Sequence, residues 1–259
     1  MAETADVEVF FTVEGDTFVP TAHARGPWAP DMLHGRLVGG LLARALEHEY
    51  GDPAFHFTRL TVDLFRSSPL RPVRIETRLA REGRRIRVAD ATLSTDQGVI
   101  GRAAAVLLRR GEQPADEPLS SPAWNAPEPA ELGPPLPPRR AGWTPPFDLW
   151  QLDGRRVWLR ELHSLIEGES PSPLVRAALA ADFASPLANR GADGLRFINA
   201  DYTLLLGRLP TSDAIGLEST GHLSDEGIAI GHCTMHDTSG PFAHCAVTAI
   251  ANPQPIPGR

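Results

Sequence analysis

The chain has 259 residues, 42% of them hydrophobic, which is enough for a core in one large domain or two small ones. Its formal net charge is −7 and all 25 of its basic residues are arginine, which argues against a general nucleic-acid surface. No stretch of about 18 apolar residues occurs, so no membrane span is expected, and the acidic opening "MAETADVEVFF" lacks the basic region of a secretory signal.

The first predicted element is a helix over "HGRLVGGLLARALEHE". Leu37, Leu41 and Ala45 recur every four residues along it, and Gly51 stands where a C-terminal glycine would stop it. A strand, "FTRLTVDLFR", follows. Residues 75–108 then read strand, turn, strand, turn, strand, with turns at "REG" and "TDQG" between alternating or β-branched runs. Residues 110–146 carry eleven of the 25 prolines. Proline is excluded from helix interiors and central strands, so this stretch predicts a surface-running, semi-rigid connector.

After the connector the pattern returns. Ser172-Pro173 supplies an N-cap and a first-position proline. Val175, Leu179, Phe183 and Leu187 form an apolar stripe, and Gly191 is the expected stop. "NADYTLLLGR" predicts a strand, and residues 216–250 predict a second meander with turns at "SDEG" and "DTSG".

The second half is an image of the first at an offset of 142. That shift places Glu76 on Glu218, Ile86 on Ile228, Thr92 on Thr234, Gly98 on Gly240 and Ala104 on Ala246. It also places Arg66 on Arg208, Leu37 on Leu179 and Gly40 on Asp182. Each half predicts one helix covering one antiparallel sheet, an α+β unit, and two such units can pair their sheet edges. The boundaries that follow are 1–110, a linker at 111–145, and 146–259.

Asp182 is the unusual residue. It sits in an Ala- and Leu-rich helix with few polar neighbours. A buried carboxylate there would cost several kcal/mol unless hydrogen-bonded or protonated, whereas one pointing to solvent would cost nothing. Other clusters are weaker. His232, His236 and His244 match no common zinc spacing, so no metal site is expected. "REGRRIRV" offers arginines that suit phosphates but also suit a solvated hairpin. Cys233 and Cys245 flank one turn and can face each other across a hairpin; they are read as reduced, buried thiols of a cytoplasmic protein. No nucleophile elbow, P-loop or dinucleotide fingerprint occurs.

Four stretches carry a family likeness: "RGPWAPDMLHGRLVGGLLARALE", "GESPSPLVRAALAADFASPLAN", "FINADYTLLLGRLP" and "HDTSGPFAHCAVTAI". Together they resemble the TesB-like acyl-CoA thioesterases of the thioesterase-like superfamily. The resemblance implies a double hot-dog fold, with two long helices packed on a continuous antiparallel sheet. It implies hydrolysis of a fatty or related acyl thioester, without a cofactor, coenzyme A being part of the substrate. A homodimer is plausible by the same analogy. The family's acid falls on Asp182 as general base, and its strand residue falls on Asn199, where threonine is usual. The family's glutamine position falls on Val247, or on Thr248 if the register slips by one. His34, Gly35 and Arg36, at the start of the first helix, would supply backbone amides for the oxyanion. The mirror position, Gly40, would be inert. The missing glutamine leaves a non-catalytic acyl-CoA binder as the second reading. A hot-dog hydratase is disfavoured because Leu187 stands where an Asp-x4-His pair needs histidine.

Overall fold

Helix α1 spans Gly35–Tyr50 and ends where predicted, at Gly51, whose N–H bonds the Glu47 carbonyl at 2.8 Å. Leu37, Leu41, Leu42 and Leu46 line its buried face. The computed structural model describes residues 8–29, 31–116, 121–122, 124–137, 145–192 and 194–257. The expectation on the first seven residues, and the part of the linker expectation that falls on 117–120, 123 and 138–144, lie outside the described residues.

Ahead of α1 come β1 (Val9–Glu14), β2 (Thr17–Pro20) and a 3-10 turn at Ala22–Ala24. After it come β3 (Phe55–Leu64), β4 (Arg74–Glu82), β5 (Ile86–Thr95) and β6 (Gly98–Arg109). Beyond the proline-rich stretch lie β7 (Phe147–Gln151), β8 (Arg156–Glu161) and β9 (Ser164–Ile166). Helices α2 (Pro173–Ala181) and α3 (Ala184–Ala188) follow, then β10 (Arg190–Gly191), β11 (Gly194–Leu206), β12 (Ala214–Asp225), β13 (Ile228–Asp237) and β14 (Gly240–Pro257).

One 11-stranded antiparallel sheet runs β4-β5-β6-β3-β11-β14-β13-β12-β8-β7, with β10 beside β11. A small sheet runs β2-β1-β9, and β1 lies parallel to β9. The edges β3 and β11 zip together with Thr61 opposite Thr203, two residues 142 apart whose hydroxyls lie 3.1 Å from each other. Strands β5 and β13 begin and end 142 residues apart. A bulge at Thr58 in β3 is repeated at Ala200 in β11, again 142 residues on. The core fills the space between the helices and this sheet. No helix among the described residues is long and apolar enough to cross a membrane.

The second helix is not one long helix, as the four-residue stripe predicted. It breaks after Ala181, and α3 ends at Ala188 with Asn189 as its cap, before Gly191, which belongs to β10. Pro186 is the cause. It has no N–H for the Asp182 carbonyl, and its ring occupies the space that carbonyl would need. The chain tightens instead, with the Phe183 N–H bonding Ala180 O at 3.0 Å.

The described part of the connector runs on the surface, as expected, but it is docked there. The Trp158 indole donates to Pro127 O at 3.0 Å and the Trp150 indole to Gly133 O at 2.9 Å. Trp124 stacks on Trp158 and His236 directly over Gly216, where a side chain would collide with the Trp124 ring.

Candidate active site

The helix break places Asp182 as the C-terminal cap of α2, and its side chain turns inward, only 8% exposed. Opposite it stands Asn199 of β11, whose Nδ2 donates to Asp182 Oδ1 at 2.6 Å. Strict alternation along β11 would aim Ala200 at the helices, since Tyr202 and Leu204 point there. The bulge at Ala200 resets the alternation so that Asn199 faces in instead. The third wall is the start of α1. A Cβ at Gly35 would lie 3.8 Å from Asp182 Oδ1 and 3.5 Å from Leu64 Cδ1, so glycine leaves an open approach to the carboxylate.

Burial pushes the Asp182 carboxyl above the usual carboxylate range; the Asn199 donor and the Arg36 charge pull it back only in part. The other polar groups close to it are neutral. The Tyr202 phenol donates to Ala178 O at 3.0 Å and the Cys245 thiol to Ala181 O at 3.5 Å, and burial raises the pKa of both. Cys245 lies directly across from Cys233 in the β13–β14 ladder; both are free and buried, and the Cys233 thiol is pushed up to about 12. Asp182 is thus a nearly isolated carboxylate with one strong amide donor, a group fitted to accept a proton.

His34 is the N-cap of α1, and its Nδ1 accepts the Arg36 N–H at 3.4 Å. Arg36 therefore does not offer an open amide, contrary to the sequence expectation. Its side chain does not reach for substrate either. It is 4% exposed, forms a two-pronged ion pair with Glu161, and its guanidinium lies 5.3 and 5.1 Å from the ring centroids of Phe10 and Phe147. The Leu37 N–H bonds the His34 carbonyl at 3.0 Å, so the Arg36 and Leu37 amides are both engaged, and Gly35 is the first-turn residue that lies beside the acid.

Val247 is buried but sits opposite Tyr202. Thr248 is exposed, with its hydroxyl bonded to Asp201 at 2.8 Å on the outer face, so it does not join the site. The residue directly beside Asn199 is Ala249, because the bulge shifts the register by one. Neither Ala249 nor Glu161 was singled out from the sequence, and no local pattern marks them: both are placed by partners 50 and 125 residues away.

The other clusters lie elsewhere. His236 is buried under Trp124, while His232 and His244 are exposed. The arginine hairpin between β4 and β5 sits at the Phe55 end of β3, whereas Leu64, beside the acid, is at the other end. At Gly40, the position matched to Asp182, the space is taken by Leu179, whose Cδ2 lies 2.6 Å from where a Cβ would be. Phe57 replaces Asn199 there, so the mirror position has neither acid nor amide. A cavity of about 250 Å³ opens farther along α1, lined by Arg44, Glu47, Glu169 and Ser172 among others; it does not reach Asp182.

Comparison with known proteins speaks to the family and the fold. Residues 24–108 match the model of an acyl-CoA thioesterase N-terminal domain, and residues 110–251 match that of an acyl-CoA thioesterase C-terminal domain. No curated protein matches the chain. Among solved structures, it is similar to a hot-dog-fold protein from Alicyclobacillus acidocaldarius, with a TM-score of 0.68 at 15% identity over 95% of this chain and 96% of that one. It is similar to the tesB protein of Mycobacterium avium subs paratuberculosis, at 0.64 and 16%, over 93% and 94%. It is also similar to the acyl-CoA thioesterase II TesB2 of Mycobacterium marinum, at 0.62 and 16%, over 95% and 94%. At such identities these likenesses speak for the fold alone.

Proposed function

The chain belongs to the acyl-CoA thioesterase family, and on that footing we propose that it hydrolyses an acyl-CoA with a water activated by Asp182. The observation that carries this reading is the inward carboxylate held by Asn199 at 2.6 Å, beside a glycine at a helix start. A water between the second oxygen of Asp182 and the Asn199 carbonyl gives its proton to Asp182 and attacks the thioester carbon. The oxyanion is received by the Gly35 N–H at the positive end of α1. When the tetrahedral intermediate collapses, the C–S bond breaks and the proton on Asp182 goes to the departing coenzyme A thiolate. The apolar space between helices and sheet would hold the acyl chain. The raised pKa of Asp182 suits the role, since a stronger base removes the water's proton more readily.

We read the chain as two fused hot-dog units, 1–110 and 146–259, joined by 111–145; the paired elements 142 residues apart support this. Only the second unit carries the acid, so one composite site forms, with amide from the first unit and base from the second. Two buried, unpaired thiols suit a cytoplasmic setting.

The apolar Ala249 beside Asn199, with no glutamine at that place, favours a second reading, a binder of acyl-CoA that does not turn it over. The two readings separate when purified protein is given acyl-CoAs of graded length and free thiol is followed. Release above the buffer blank, saturating with substrate, supports hydrolysis; saturable binding with no release would overturn it in favour of the binder.

A further inference from the structure

We infer that Glu8, His23 and His163 form a divalent-metal site, with Zn2+ the cation of best fit, that clips the first strand of the chain to the segment entering its second helix. Glu8 Oε2 lies 2.8 Å from His163 Nε2 and 3.6 Å from His23 Nδ1, and the two ring nitrogens are 3.3 Å apart. Four ligands around zinc at bond lengths of ~2.0–2.1 Å stand about 3.3 Å from one another, the edge of a tetrahedron. The three separations bracket that value, so an ion fits with movements of a few tenths of an ångström.

The atoms also have the right chemistry. Two imidazole nitrogens and one carboxylate oxygen lie within 3.6 Å of one another, each able to offer a lone pair. A single shared proton on His163 Nε2 can serve Glu8 or His23, but not both at full strength, whereas a cation serves all three together. Nitrogen and oxygen donors of this kind suit Zn2+, and the fourth position stays open to water. Among the described residues this is the one group of three or more such side chains close enough to share an ion.

Each ligand is carried on a fixed piece of backbone. Glu8 precedes β1, and its carbonyl accepts the Ser164 N–H at 3.2 Å, which ties it to β9. His23 lies in the 3-10 turn, where its N–H bonds Thr21 Oγ1 at 3.2 Å. His163 joins β8 to β9, packed on Phe10 with ring centroids 5.3 Å apart. The site therefore crosslinks residues 140 positions apart in sequence. Glu161, two residues before His163, holds Arg36 in the first turn of α1, so the clip also braces that turn. His163 is nearly covered, while the His23 and Glu8 side chains are 42% and 56% exposed, which leaves the ion a way in.

The test titrates the full chain, stripped with a chelator, with zinc chloride in a calorimeter, and follows thermal unfolding in parallel. One ion per chain and a rise in Tm are expected, and Co2+ in its place should give the intense visible absorption of a four-coordinate site. His23→Ala and Glu8→Gln change exposed side chains, so the fold, checked by circular dichroism, is kept. Each should weaken binding by more than about 100-fold, beyond the ~10–100-fold that loss of an outer-shell partner costs. If the stripped wild-type chain takes up no zinc saturably, or if His23→Ala binds it as tightly, the inference is overturned.

Discussion

Replacing Asp182 with asparagine separates the catalytic role proposed for it from a structural one. The shape is kept, and the new carboxamide oxygen can still accept the Asn199 N–H that now lies at 2.6 Å. No cation is orphaned, because Arg36 is already paired with Glu161. The heavy loss of about 3–5 kcal/mol that follows breaking a buried ion pair therefore does not apply. What disappears is a charge that burial disfavours. An acid whose folded pKa is raised binds its proton more tightly in the folded state. Its ionisation thus subtracts stability as pH rises from the unfolded value through the folded one, and subtracts nothing below both. Asp182→Asn should match or exceed the wild-type Tm at pH 7, with the difference vanishing in acid. Its thioester hydrolysis should fall by ~10²–10⁴-fold, the usual worth of a general base, equal to about 2.7–5.4 kcal/mol of transition-state stabilisation. Differential scanning calorimetry and a coupled thiol assay on the same preparation measure both. Hydrolysis at the wild-type rate would remove Asp182 from the mechanism. A Tm that drops at neutral pH but recovers in acid would mean that the charge supports the fold, contrary to its burial.

Further outcomes follow from the packing. The acid limb of the hydrolysis pH profile should lie above the range of an ordinary carboxylate, since protonating Asp182 removes the base; a limb at or below that range would contradict its burial. Arg36→Met strands Glu161 in a site where its side chain is 13% exposed, and should cost about 3–5 kcal/mol in urea unfolding, largely recovered in Arg36→Met with Glu161→Leu. A loss under 1 kcal/mol in the single variant would show the pair to be dispensable. A Cβ at Gly39 would overlap Tyr202 Oη, so Gly39→Ala should destabilise by about 1–3 kcal/mol. Adding Tyr202→Phe should then cost less than the two changes summed, and strict additivity would rule out the contact. Gly216→Ala should lift Trp124 off the sheet and speed limited proteolysis within residues 110–146; an unchanged cleavage rate would mean that the stacking does not hold the connector.

Local periodicity and punctuation carried much of the architecture. The apolar stripe of α1, the Ser172 cap, the turn glycines and the offset of 142 are short-range or self-similar signals, and each corresponds to an element of the structure. Asp182 stood out for the same reason, as a charge among aliphatic neighbours. The break beside it was also written locally, in Pro186, but the four-residue stripe continues past it from Phe183 to Leu187 and masks it. The rest depended on partners far away in the chain. A one-residue bulge at Ala200 decides that Asn199 faces the acid, that Ala249 is its neighbour and that Thr248 points outward, and a bulge has no reliable sequence mark. Arg36 could not be assigned to a buried ion pair until Glu161 was seen beside it. Glu8, His23 and His163 share no spacing at all and meet only because β1 lies parallel to β9. Sequence period sets which face of an element is apolar. Which side chains from separate elements meet is set by register and crossing, and those are settled only when the whole core packs.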